Sequence, residues 1–332
     1  MSFVIYSLES HIEEFFKAST TTTREECDLK AASLASGAPV VPVPMQGAWS
    51  YTVTAGPDQA HIVQFRPSNA TLNMSRLELA RQAHPWCVPK CTYHGQAGGQ
   101  LPLDIYVMDK AAGECYLYSR NISPEGTEDK ARFDARQHRT VRDLARFFAD
   151  SWNAPQKVSP AVADGVHQKL ELDLDRLDKA FPDRFSITLN QVRDSFTRLF
   201  SLPWVITHVD LNETNILVDD TGAITAIIDW ADAEMLPFGM SLWGLENILG
   251  YMDGTGWHYH GNAQELRDEF WRVFKASVGG VGEEAMAAIR IARMVGLFMR
   301  YCFALHGSGD RTVLDTNAAT LRYADAFCTR GI

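Results

Sequence analysis

Residues Thr207 to Trp230 read T-H-V-D-L-N-E-T-N-I-L-V-D-D-T-G-A-I-T-A-I-I-D-W. The first part has the form H-x-D-x-x-x-x-N, carried by His208, Asp210 and Asn215. Two apolar runs come next, separated by the turn-forming residues Asp219, Asp220, Thr221 and Gly222. Apolar, turn, apolar at this spacing predicts a β-hairpin. A hairpin folds its ends back together, so Asn215, entering the first strand, and Asp229, leaving the second, are expected to be neighbours. Asp210 sits five residues before Asn215, on the loop that feeds the hairpin.

Such a grouping suits phosphoryl transfer, which needs a base for the acceptor hydroxyl and oxygen ligands for Mg²⁺ on the nucleotide phosphates. Mg²⁺ is a hard cation that takes carboxylate and amide oxygens. Asp210 is then the base, and Asn215 and Asp229 hold the metal. Ordinary turn acids on a surface hairpin would explain a bare H-x-D. They do not explain the full H-x-D-x-x-x-x-N, a hairpin, and I-I-D-W with its Asp fourteen residues after the Asn.

At these residues the chain resembles the aminoglycoside phosphotransferase and choline kinase family of small-molecule kinases. The continuation P-F-G-x-S-L-W-G-L-E from Pro237 to Glu246 is similar to a fungal branch of that family. The resemblance implies an α+β, bilobal, protein-kinase-like fold, with a small β-rich N-terminal lobe and a larger, mainly helical C-terminal lobe. It makes His208 and Asp210 catalytic, and Asn215 and Asp229 the Mg²⁺ ligands. Ile-Asp-Trp stands where protein kinases carry Asp-Phe-Gly.

Composition sets the outer bounds. The 332 residues suffice for one large or two ordinary domains, and 46% hydrophobic with 22% charged residues is globular. Apolar runs fall short of a membrane span, and the N-terminal M-S-F-V-I-Y-S-L-E-S lacks a basic leader region. Six cysteines in this length do not suggest a disulfide framework. The expected setting is cytoplasmic, with no membrane partner. The net charge of −10 is localised: between Leu199 and Leu266 there is no Lys or Arg but ten acids, and outside that stretch acids and bases balance at 31 each. An acidic field of this kind favours Mg²⁺ and a cationic or amine-bearing small-molecule substrate, and opposes nucleic acid.

Upstream, residues 8–17 and 24–36 have helical spacing, and Pro39, Pro42 and Pro44 rule out a helix in the next segment. Residues 49–54 and 61–66 read as strands joined by a turn at Gly56-Pro57-Asp58. By the resemblance, Gly47 and Ser50 cover the nucleotide phosphates. Arg66 takes the place of the phosphate-binding strand Lys, and Glu78, on a helix over about 71–83, pairs with it. Arg is not interchangeable with Lys at such a site. A short strand at 105–108 leads, by the resemblance, to a hinge where backbone groups around Met108 to Lys110 would pair with adenine. The expected boundary lies after Met108, giving a nucleotide-binding lobe over 1–108 and a catalytic lobe over 109–332. His84, Cys87, Cys91 and His94 form H-x₂-C-x₃-C-x₂-H, all zinc-ligand types. Their spacing is tight and two prolines stiffen it, and the resemblance implies an ordinary loop entering a strand.

Helices are expected at about 136–152, 162–180, 188–200, 263–278, 283–306 and 315–329. The bases around the first of these are interleaved with acids, which favours a solvated helix face over a nucleic-acid patch. For the acceptor, the candidates are Asp232, Glu246, Asp253, Trp257 and Tyr259, because aromatic faces with carboxylates bind amines or flat cationic rings. The residues thus point to an ATP- and Mg²⁺-dependent phosphotransferase acting on a small-molecule hydroxyl. The alternative is a non-kinase biosynthetic enzyme or nucleotide-binding protein on the same fold. P-loop and hydrolase-elbow motifs are absent, as is the A-P-E element of protein kinases.

Overall fold

The computed structural model describes residues 7–120, 130–305, 311–315 and 321–329. The chain forms two compact units, Met1–Arg81 with Val88–Ala112 and Gln82–Cys87 with Gly113–Ile332.

The first unit is a five-stranded antiparallel sheet with helices. Its elements are α1 (Leu8–Ser19), α2 (Arg24–Leu34), β1 (Val40–Pro42), β2 (Tyr51–Ala55), β3 (His61–Pro67), α3 (Met74–Ala83), β4 (Cys91–Ala97) and β5 (Leu103–Asp109). The strand order is β1-β2-β3-β5-β4. Ile12, Phe15, Cys27 and Ala31 from the two helices share one core with Tyr51, Val53, Val63, Phe65, Leu103 and Ile105 from the sheet. A capping box starts α2, with the Thr23 hydroxyl on the Glu26 amide and the Glu26 carboxylate on the Thr23 amide. β1 is unexpected from the sequence. It is a sheet edge, where Pro42 removes no ladder bond that the sheet needs.

The second unit holds the predicted hairpin. It contains β6 (Glu114–Cys115), α4 (Tyr116–Ser119), α5 (Lys130–Asn153), α6 (Pro160–Ala180), α7 (Ser186–Ser195), β7 (Trp204–Thr207), β8 (Ile216–Val218), β9 (Ile224–Ile227) and β10 (Glu234–Pro237). It continues with α8 (Trp243–Ile248), β11 (Gly250–Met252), β12 (Trp257–Tyr259), α9 (Ala263–Ser277), α10 (Glu283–Tyr301), β13 (Phe303–Leu305), β14 (Arg311–Val313) and α11 (Leu321–Cys328). Val141, Leu144, Phe147 and Phe148 face inward from α5, as their spacing predicts. The bases of α5 meet acids: Arg139 and Arg146 hold Asp143, and Arg142 holds Glu269. α10 ends at Tyr301, and the chain turns into β13; His306, in the expected helix extension, lies outside the described residues.

His84, Cys87, Cys91 and His94 do not form a zinc site. Among the described residues no three metal-type side chains gather. His84 is a core residue stacked on Phe147, with ring centroids 4.1 Å apart, and Ser151 Oγ lies 3.2 Å from its Nε2. Burial, with a smaller contribution from His208, pushes its pKa down to about 3, so it is neutral.

Candidate active site

Two ribbons in the second unit frame the site. β7 pairs with β10, setting Thr207 opposite Glu234. β8 pairs with β9, setting Ile216 opposite Ile227. The loop after β7 carries His208 and Asp210, and the segment after β9 carries Asp229. The hairpin turn is local chemistry: Asp219 Oδ1 accepts from the Thr221 and Ala223 amides. Gly222 has φ +82°, and a Cβ there would lie 2.4 Å from the Arg136 carbonyl oxygen. Only glycine fits that turn.

One step beyond the register, the Ile228 amide donates to the Asn215 carbonyl at 2.9 Å. Asp229 therefore comes directly after the partner of Asn215. The Asn215 side-chain nitrogen donates to the Asp210 carbonyl oxygen at 2.8 Å and to Asp210 Oδ2 at 3.2 Å. With its nitrogen spent on Asp210, Asn215 keeps Oδ1 as an acceptor. Oδ1 and the exposed Asp229 carboxylate are hard oxygen donors, the kind that Mg²⁺ takes. Asp229 has φ +61°, a conformation uncommon outside glycine and more often adopted by Asp and Asn. Trp230 anchors the bend, its Nε1 donating to the Ile227 carbonyl at 2.9 Å.

His208 ties the two segments together. Its Nε2 donates to the Ile228 carbonyl at 2.8 Å, and its Nδ1 accepts the Asp210 amide at 3.2 Å. One donor and one acceptor fit a neutral ring with the proton on Nε2. Burial drives the pKa down, against the Ile228 carbonyl and the acids Asp210, Asp229 and Asp232. His208 is thus a buried strut that positions Asp210, with no access to a reacting group through either nitrogen.

Asp210 has a partner that sequence reasoning missed. Its Oδ1 accepts from Asn212 Nδ2 at 2.9 Å and from Arg300 at 2.8 Å. Arg300 comes from the last turn of α10, and its guanidinium carbon lies 5.2 Å from the Trp243 ring centroid. A cavity of about 570 Å³ opens beside Asp210. Its charged lining residues are Asp210 itself with Lys169, Glu213, Asp232, Glu234, Arg300 and Arg311. Trp243, a buried core residue, lines it too.

Asp232 is the one acceptor candidate that reaches this cavity; it is exposed. Glu246, Asp253, Trp257 and Tyr259 do not line it, which corrects their expected substrate role. Glu246 is a buried carboxylate held by Arg293, by Arg267 at 3.0 Å and by the Tyr259 hydroxyl at 2.9 Å. Asp253 closes the β11–β12 turn, accepting from Thr255 and His258, and these bonds hold its carboxyl below the usual range. Trp257 packs on Phe327, with ring centroids 4.9 Å apart.

The acidic field is partly neutralised. Counted along the chain, 199–266 has no Lys or Arg, but in space bases from elsewhere meet four of its ten acids. Arg300 holds Asp210, Arg120 holds Glu213, Lys169 holds Glu234, and Arg293 and Arg267 hold Glu246. Arg293 and Arg300 are seven residues apart on α10, about two turns, so they share a face. That spacing on a largely apolar helix was the available signal.

In the first unit, Gln46 bridges the loop before β2, bonding the Thr52 amide and carbonyl at 2.8 and 2.9 Å. Gly47 in that loop is exposed, whereas Ser50 is buried, with its hydroxyl 3.1 Å from that of Thr52. Arg66 is buried on β3; its Nε donates to the Ala70 carbonyl at 2.5 Å and its Nη1 to Gln64 at 3.2 Å. Glu78 is exposed on α3. Met108 lies in β5 between β3 and β4, opposite Ile62 and Cys91. The Asp109 and Lys110 amides already donate to the Lys90 and Ala60 carbonyls at 3.2 and 2.8 Å. These two N–H groups are therefore bonded within the unit.

The sequence matches the phosphotransferase enzyme family over residues 60–269, well over half of its length. The chain belongs to the phosphotransferase enzyme family. Its fold is protein-kinase-like, as in two solved structures. A putative aminoglycoside phosphotransferase from Ralstonia eutropha JMP134 is 13% identical, with 96% of this chain and 93% of that one covered and a TM-score of 0.53. Aminoglycoside phosphotransferase APH(4)-Ia is 12% identical, with 83% and 90% covered and a TM-score of 0.50. No curated protein matches the sequence. The family match spans the H-x-D-x-x-x-x-N loop and the hairpin.

Proposed function

We propose that this phosphotransferase transfers the γ-phosphoryl group of ATP, with Mg²⁺, to a hydroxyl of a small molecule. One observation carries the reading. The hairpin sets Asp229 next to the backbone partner of Asn215, and the Asn215 amide nitrogen is fixed on Asp210. A base and two hard oxygen donors are thereby joined by short, mostly backbone-defined links.

In this reading Asn215 Oδ1 and Asp229 would hold Mg²⁺, which supplies charge neutralisation for the phosphates. Asp210 orients the acceptor hydroxyl. As the acceptor oxygen bonds to the γ-phosphorus, the bond from that phosphorus to the ADP oxygen breaks, and the hydroxyl proton passes to the Asp210 carboxylate. The neutral His208 holds the Asp210 amide throughout. Catalysis then consists of positioning and electrostatics, as phosphoryl transfer requires.

The test is thermal unfolding with and without Mg²⁺–ATP. A ligand at 100 times its dissociation constant stabilises by about 2.7 kcal/mol. An unchanged melting temperature at millimolar Mg²⁺–ATP would remove the nucleotide from the account and leave a non-kinase protein on the same fold.

A further inference from the structure

We propose that the acceptor is a hydroxylated compound with a flat apolar body and a carboxylate, and that Arg300 recognises the carboxylate. The inference rests on the phosphotransferase reading above and names the substrate class of the same site.

The cavity beside Asp210 has the size of a small-molecule pocket. Much of its wall is apolar and aromatic, with Leu170, Met240, Trp243, Met299, Phe303 and Tyr323 among the lining residues. Such a wall accepts a flat hydrocarbon body.

The charges of the lining decide the polar end. Glu213 is held by Arg120 at 2.8 Å, and Glu234 by Lys169 at 3.3 Å. Asp210 is held by Arg300. An incoming ammonium would compete with a resident cation at these three acids and be repelled by it; the fourth lining acid, Asp232, is exposed. An incoming carboxylate meets two guanidiniums with donors to spare. Arg300 Nε is buried without a hydrogen-bond partner. Arg311 reaches its acid, Asp173, only at 3.9 Å, beyond hydrogen-bonding distance. Guanidinium forks bind carboxylates in a paired geometry that a lone ammonium does not match.

Arg300 is also the Asp210 partner best placed to leave. Asn212 and Asn215 belong to the same loop as Asp210, whereas Arg300 reaches it on a long side chain from α10. The Trp243 ring beneath its guanidinium keeps a cation–π contact as the fork turns. The acceptor carboxylate draws Arg300 off Oδ1 and leaves that oxygen open to the acceptor hydroxyl. An acceptor without the anion leaves Arg300 where it is.

The experiment uses matched aromatic alcohols: 4-(hydroxymethyl)benzoate and 6-(hydroxymethyl)-2-naphthoate, their amides, and the corresponding aminomethyl compounds. Binding is measured by calorimetry without nucleotide on the wild type, Arg300→Gln and Arg300→Lys, and ADP release with Mg²⁺–ATP on the same set. The acids should bind at least about tenfold tighter than amides or amines, the scale of one charge-assisted hydrogen bond. Arg300→Gln should erase that preference, and Arg300→Lys should restore part of it. Preference for the amines, equal binding across the set, no binding by any acid, or a preference untouched in Arg300→Gln would each overturn the proposal. Arg300-dependent binding of acids without ADP release would count against phosphoryl transfer alone. ADP release on the amines would sink the acid preference and leave phosphoryl transfer standing.

Discussion

Glu246→Gln separates a structural carboxylate from a ligand-binding one. Glu246 is 1% exposed, and its two arginines, Arg267 and Arg293, are 28% and 25% exposed. Removing one partner of a buried ion pair costs about 3–5 kcal/mol, because the other charge stays buried. Here both guanidiniums retain access to water, and Gln keeps an acceptor for the Tyr259 hydroxyl. The loss should therefore fall at the lower end, about 3 kcal/mol, and lower the melting temperature by roughly 6–12 °C for a unit of this size. The effect should depend on pH. Burial alone would raise the Glu246 pKa, but Arg293 and Arg267 beside it, with the Tyr259 hydroxyl, outweigh burial and hold it below the ordinary value of 4.5. A depressed carboxylate contributes fully above the unfolded pKa and loses that contribution as pH falls through the folded one. The gap between wild type and Glu246→Gln should thus be full at pH 7 and narrow below pH 4.5. Thermal melts followed by tryptophan fluorescence measure both. A loss under about 1 kcal/mol, or an acceptor-specific defect with stability intact, would refute the assignment and return Glu246 to the binding site.

Two further outcomes are expected. Asp229→Asn keeps a residue that tolerates φ +61° but removes the charge, so stability without nucleotide should hold while Mg²⁺–ATP binds at least about tenfold more weakly; calorimetric titration showing unchanged affinity would remove Asp229 from the metal site. His84, with its pKa near 3 in the fold against 6.5 ordinarily, stabilises fully above pH 6.5, and acidification from there toward pH 3 removes that contribution at up to about 1.4 kcal/mol per pH unit. His84→Phe should flatten the decline of stability between pH 7 and 4.5, and an unchanged slope would mean that His84 does not take up the proton.

The β8–β9 hairpin was legible because its signals are local. Turn residues fix it, its two apolar runs are short, and the register depends on both. The strand-rich first unit was legible for the same reason, except β1, whose prolines hide an edge strand. What could not be read was pairing across long sequence separations. Arg300 lies far along the chain from Asp210, and nothing near Asp210 announces a base. Glu246, Asp253, Trp257 and Tyr259 read as a binding wall. Instead they fold into α8 and the β11–β12 ribbon, where Glu246 meets arginines and Trp257 meets Phe327. Charge counted along a sequence misleads when the fold brings bases in from other helices.

The central claim is that Asp210 serves the acceptor hydroxyl while Asn215 and Asp229 serve the nucleotide. Asp210→Asn keeps the shape of the side chain and cannot take the proton. Mg²⁺–ATP titration and ADP release with an accepted hydroxy compound, measured on the same preparation, test the division of labour. The account predicts unchanged nucleotide affinity with turnover reduced about 10²–10⁴-fold, the usual contribution of a positioned acid–base group. Wild-type turnover in Asp210→Asn would contradict it.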